Sequence, residues 1–175
     1  DYYHGKLISK CSLFTNEMVG LAKASAVFHG AEHTIPDLLR YFQGIRSEDA
    51  FRRMCVLDAI ILNPDRHYGN FGVLFDTTTM EILRMAPVFD NNKSLLPELD
   101  NDQLATPGWY IARCRPRIGR DFIITARGLL TEEIRADLER LRDFTFRQHP
   151  KIQAEQVRLD ALSAIVRERI RQILT

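Results

Sequence analysis

The 175-residue chain has little cysteine, a single tryptophan, almost no net charge and no long apolar run. Its three cysteines, Cys11, Cys55 and Cys114, stand far apart and form no Cys-x-x-Cys pair. That argues against a disulfide framework and a structural zinc site, and makes a reducing cytoplasm the expected compartment. The longest apolar stretches, such as Ala59 to Leu62, are far too short to cross a bilayer, and no basic-then-apolar leader opens the chain, so no membrane association is expected. Lysine and arginine (24) nearly balance aspartate and glutamate (23). The net charge of +1 supplies no overall field toward nucleic acid or an anionic surface, so direct nucleic-acid binding is not expected and any attraction for anions must be local. Internal repeats and low-complexity segments are also lacking.

What is present is an ordinary globular composition, 45% hydrophobic and 27% charged, in a chain long enough to bury its own core as one domain or one large lobe. Leu7, Ile8, Cys11, Leu13 and Phe14 suggest a strand within residues 1 to 15, and Met18, Val19, Leu21 and Ala22 suggest a helix over Asn16 to Phe28. A short helix is expected from Ile35 to Phe42, with Pro36 in its first turn and an end near Gly44. Ser47 can cap a buried helix carrying Phe51, Met54, Cys55, Leu57, Ile61 and Leu62, which must stop near Asn63 because Pro64 disfavours helical geometry in the residue before it. Phe71 to Phe75 and Met80 to Met85, separated by Asp76-Thr77-Thr78-Thr79, read as a hairpin. Asn91 to Gly108 reads as a long irregular loop, followed late in the chain by helices over Thr131 to Arg147 and Ala154 to Leu174.

Between the buried helix and the hairpin lies Asn63-Pro64-Asp65-Arg66-His67-Tyr68-Gly69-Asn70. A loop pinned between rigid elements holds side chains at fixed distances, which suits phosphoryl transfer, where catalysis is mostly positioning and charge stabilisation. Asp65 precedes Asn70 by five residues, the spacing of an aspartate that handles the acceptor proton and an asparagine that ligates a metal. Asp90, beyond the hairpin, is placed to supply the carboxylate that a hard cation needs.

The run Asn63 to Phe71, followed by Ala86-Pro87-Val88-Phe89-Asp90, resembles the catalytic and metal-binding motifs of HipA-like kinases, and Asp65-Arg66-His67 is similar to the corresponding motif of phosphoinositide kinases. The resemblance implies an α+β, mainly α chain: the large, C-terminal lobe of a protein-kinase-like fold, with a small β-hairpin carrying the catalytic and metal-binding loops. It implies Asp65 as catalytic aspartate, Asn70 and Asp90 as the residues that hold Mg2+ and with it ATP, and phosphoryl transfer to a serine or threonine of a protein substrate. A lipid or small-molecule acceptor stays open, as does a non-catalytic, pseudokinase-type binding module. An antitoxin-like partner belongs to the resemblance and has no signature here. Neither a glycine-rich phosphate loop nor a strand-borne lysine in a convincing context precedes residue 63, and no Asp-Phe-Gly element follows at Asp90-Asn91-Asn92. The expectation is therefore that residues 1 to 175 form one lobe beginning near the hinge, with Leu7 to Thr15 supplying part of an adenine pocket and the small lobe upstream.

Each residue also has a plainer reading. Asp65 and Arg66 can form an exposed ion pair, and Asn70 can be a turn residue before a strand. Arg66 and His67 are read as loop organisers. His29 and His33 are four apart, but Gly30 interrupts the helix that would align them and a third metal ligand is missing. Trp109 reads as a packing anchor for the long loop. Arg113, Arg115, Arg117 and Arg120 form a basic run suited to a solvated face, a phosphate or an acidic substrate.

Overall fold

The computed structural model describes residues 2–8, 10–29, 31 and 33–175. Asp1, Ser9, Gly30 and Glu32 lie outside the described residues, and with them the expected helix break at Gly30. The chain is mostly helical, with a small three-stranded antiparallel sheet. A short hairpin, β1 (Tyr2–Tyr3) with β2 (Lys6–Leu7), precedes an irregular segment over 10–16. The strand read within residues 1 to 15 is thus confined to these two-residue pieces, which pair with each other and not with the main sheet.

The helix expected over Asn16 to Phe28 is instead β3 (Val19–Lys23) followed by a single turn, α1 (Ala24–Val27). The override is tertiary. Along its whole length β3 pairs with β4 (Gly72–Asp76), which pairs in turn with β5 (Ile82–Met85). A five-residue strand finding a partner some fifty residues on outweighs a weak helical pattern. Gly72 permits this pairing: a Cβ there would lie 2.2 Å from the Ala22 carbonyl oxygen.

α2 (Ile35–Gly44) begins at a reciprocal cap, in which the Thr34 hydroxyl accepts from the Asp37 N–H and the Asp37 side chain accepts from the Thr34 N–H, with Pro36 in the first turn. Its Leu38 and Phe42 are fully buried, and the Phe42 ring stacks 5.0 Å from Phe51 of α3 (Glu48–Ile61). Ser47 stands at the N-cap of α3, but its side chain does not cap the helix. The hydroxyl accepts from the Met85 N–H at 2.9 Å, so it ties β5 to the helix. α3 ends at Leu62 in left-handed geometry (φ 52°), and the N–H groups of Leu62 and Asn63 both donate to the Asp58 carbonyl.

The stretch expected to be one long loop contains α4 (Asn101–Ala105) and ends where α5 (Gly108–Ile111) begins, and α6 (Phe122–Gly128) follows. Asp100 and Asp121 cap α4 and α6 with their side chains. Trp109 is not a buried anchor: it is 59% exposed, with the Arg113 guanidinium 3.8 Å over its ring, and Leu104 fixes the segment to the core instead. α7 (Glu132–Arg140) is shorter than expected, and α8 (Gln156–Leu174) closes the core against α3, α6 and α7 through Ile165, Val166, Ile170 and Ile173. Arg127 and Arg135 donate to the Gln172 and Leu174 carbonyls, satisfying the end of α8 that would otherwise face solvent unpaired. Among the described residues no helix is long and apolar enough to cross a membrane.

Candidate active site

The end of α3, the loop 63–71 and the segment after β5 meet around one buried guanidinium. Arg66 is 2% exposed and uses all five of its N–H groups. Two grip the Asp58 carboxylate in a fork, Nε to Oδ2 and Nη2 to Oδ1, each at 2.9 Å. Nη1 donates to the carbonyls of Asn70 at 2.7 Å and Phe89 at 2.5 Å, and the remaining Nη2 hydrogen goes to Asn91 Oδ1. One side chain therefore fixes a helix, the loop bearing Asp65 and Asn70, and the two residues flanking Asp90. Asp90 itself adopts left-handed geometry (φ 56°), and its side chain is exposed at the tip of this clamped arch.

Asp58 is the residue that sequence reasoning missed. It lies on the apolar face of α3, where burial pushes its carboxyl pKa up while the hydrogen bonds and charge of Arg66, and the Asn63 amide at 3.0 Å, pull it down. Asn63 also accepts from the Asp65 N–H at 3.1 Å, so the loop starts from a fixed point. The only sequence signal was a carboxylate on a helix face otherwise made of Phe51, Met54, Cys55 and Ala59. Beside the pair is a cavity of about 10 Å³, room for roughly one water.

Within the loop, Asn70 Nδ2 donates to the Asp65 carbonyl at 2.9 Å, and His67 Nδ1 accepts from the Gly69 N–H at 2.9 Å. A Cβ at Gly69 would come within 2.8 Å of the His67 ring, so a side chain there would have to displace the imidazole from its bond to the Gly69 N–H. Tyr68 ties the loop to the start of α2, its hydroxyl accepting from the His33 N–H at 3.0 Å. The Asp65 side chain is 32% exposed and, among the described residues, makes one loose ion pair, 3.4 Å from Nε of the exposed Arg117. Lys93 stands near it: the Lys93 pKa is raised, first by its hydrogen bond to Glu98 and further by the charge of Asp65.

Asn70 Oδ1 and the Asp90 carboxylate accept no hydrogen bond and enter no ion pair among the described residues. Two uncommitted oxygen donors at the ends of one clamped framework suit a hard cation that keeps water and phosphate oxygens for its other positions. No group of three or more His, Cys, Asp or Glu side chains is placed to hold a metal among the described residues. Phe14 of the 10–16 segment stacks on Phe89, ring centroids 6.1 Å apart, which brings that segment beside Asp90.

Neither a family model nor a curated protein sequence matches the chain. Among solved structures, the chain is similar to the proinflammatory kinase CtkA of Helicobacter pylori, with a TM-score of 0.58, at 17% identity, over 92% of this chain and 70% of that one. At this identity the likeness concerns the fold, which is kinase-like.

Proposed function

We propose that the chain is the catalytic lobe of a HipA-like kinase that transfers the γ-phosphoryl group of ATP to a serine or threonine hydroxyl of a protein. The observation that carries this reading is the Arg66 clamp. It joins the backbones around Asn70 and Asp90 into one rigid unit, while the side chains of Asp65 and Asp90 remain accessible. Positioning of this kind is most of what phosphoryl transfer asks of a protein. The likeness to a kinase in fold supports the same reading.

In this scheme the acceptor hydroxyl meets the Asp65 carboxylate, whose loose contact with Arg117 is readily exchanged. The acceptor oxygen forms a bond to the γ-phosphorus as the bond to the β,γ-bridging oxygen breaks, ADP departs, and the hydroxyl proton passes to Asp65. Asn70 and Asp90 would hold Mg2+, which supplies charge neutralisation for the phosphates when bound. Arg66 is a positioning residue, held away from solvent by its five bonds.

The test is Asp65→Asn in the full-length protein. Transfer of label from ATP should fall by roughly 10²-fold to 10⁴-fold, with the thermal transition nearly unchanged because the side chain is part-exposed. Transfer at near wild-type rate removes Asp65 from the reaction. Nucleotide binding with no transfer by the wild-type protein identifies a non-catalytic binding module instead.

A further inference from the structure

Next to Asp65 runs an open groove of about 1230 Å³, bounded by loop residues 67–69, the start of α2, and residues 117–129. Its rim is basic. Arg117 and Arg120 stand along one side, and Arg120 has no carboxylate partner among the described residues. Asp121 is the single carboxylate lining the groove among the described residues, and its Oδ1 is committed to the N–H groups of Ile123 and Ile124 at the start of α6. The groove also has an apolar spot: Ile124 is 73% exposed within it, on a helix whose Phe122 and Ala126 are buried, and Ile35 and Pro36 lie on the same lining.

These features fit a chain better than a small molecule. Small-ligand pockets run to roughly 1,000 Å³ and enclose most of their ligand, whereas this groove is larger and open to solvent. The exposed Arg117 is already engaged with a carboxylate, that of Asp65, in a contact weak enough to exchange. A carboxylate on an incoming segment can take over Arg117 and leave Asp65 to the neighbouring hydroxyl. Charge complementarity at Arg120 then extends the preference along the segment.

We infer that this groove binds the acceptor as an extended acidic peptide segment, with Asp or Glu residues beside the hydroxyl on Arg117 and Arg120 and an apolar side chain over Ile124. The inference rests on Asp65 as the transfer centre and names the substrate class for that site.

The experiment measures binding and transfer separately. A fluorescein-labelled peptide with Glu-Glu-Leu-Ser-Glu-Glu between glycine spacers, and its counterpart with every Glu replaced by Gln, are titrated into the full-length protein without nucleotide and followed by anisotropy. The acidic peptide should bind about fivefold to tenfold more tightly, and Arg120→Glu should abolish that preference, as should raised salt. Ile124→Asp should weaken the acidic peptide and leave the thermal transition in place, since Ile124 faces solvent. Equal affinity for both peptides, binding of neither, or a preference that survives Arg120→Glu overturns the inference. So does Arg120-dependent binding to phosphatidylserine-containing vesicles in place of the peptide. Arg120-dependent peptide binding without transfer from ATP and Mg2+ upholds the groove and tells against the kinase reading alone.

Discussion

Replacing Arg66 with methionine keeps much of its length and removes all five donors. The loss leaves Asp58, only 5% exposed, without its bidentate partner, and leaves the Asn70 and Phe89 carbonyls without theirs. Breaking a buried ion pair by removing one member costs about 3–5 kcal/mol, because the other charge stays buried. For a chain of this size each kcal/mol moves the thermal midpoint by roughly 2–4 °C, so Arg66→Met should lower it by roughly 6–20 °C. Removing both charges, as Asp58→Leu with Arg66→Met, strands no carboxylate, so the double variant should be more stable than Arg66→Met alone. The pH dependence has a definite sign. In Arg66→Met the folded-state pKa of Asp58 lies above its usual 3.8, because burial raises it and the opposing guanidinium is gone. The folded state then binds the extra proton, and the penalty grows as pH rises from 3.8 through the raised value. Urea denaturation of wild type, both single variants and the double variant from about pH 3.5 to 8 measures all of this. A loss below about 1 kcal/mol for Arg66→Met, or additive losses in the double variant, would refute the clamp as the organising contact.

Asp90→Ala in the full-length protein should remove magnesium-dependent nucleotide binding in calorimetry and cost only about 1 kcal/mol of stability, the strain of an alanine at φ 56°, since the exposed carboxylate makes no internal bond among the described residues; unchanged affinity would make Asp90 a structural residue. Gly72→Ala should destabilise the sheet by about 1–3 kcal/mol in chemical denaturation, because the added methyl meets backbone 2.2 Å away, and a neutral result would show that β3 and β4 are not held at this spacing.

The apolar period of α2, α3 and α8 was legible from sequence, because each buries a continuous stripe, and Pro36 and Pro64 mark the start of α2 and the end of α3. The hairpin of β4 and β5 was legible for the same reason, its turn residues being local. β3 was not, since its strand character exists only once β4 lies beside it, and α4, α5 and α6 are too short to write a period.

The candidate site divides along the same line. Asp65, Asn70 and Asp90 could be singled out from type and spacing, because phosphoryl chemistry asks for those groups in a loop between rigid elements. That the backbones flanking Asn70 and Asp90 hang on one guanidinium, and that this guanidinium is anchored by Asp58 from inside a helix, was decided only by the tertiary structure. A carboxylate in an amphipathic pattern reads as solvated until the fold takes its water away, and only then does it need the arginine eight residues on. The basic groove has the same origin: four arginines close in sequence are a charged run, and only the fold, with Ile118 buried and α6 packed on α3, sets Arg117, Arg120 and Ile124 along a common space beside Asp65.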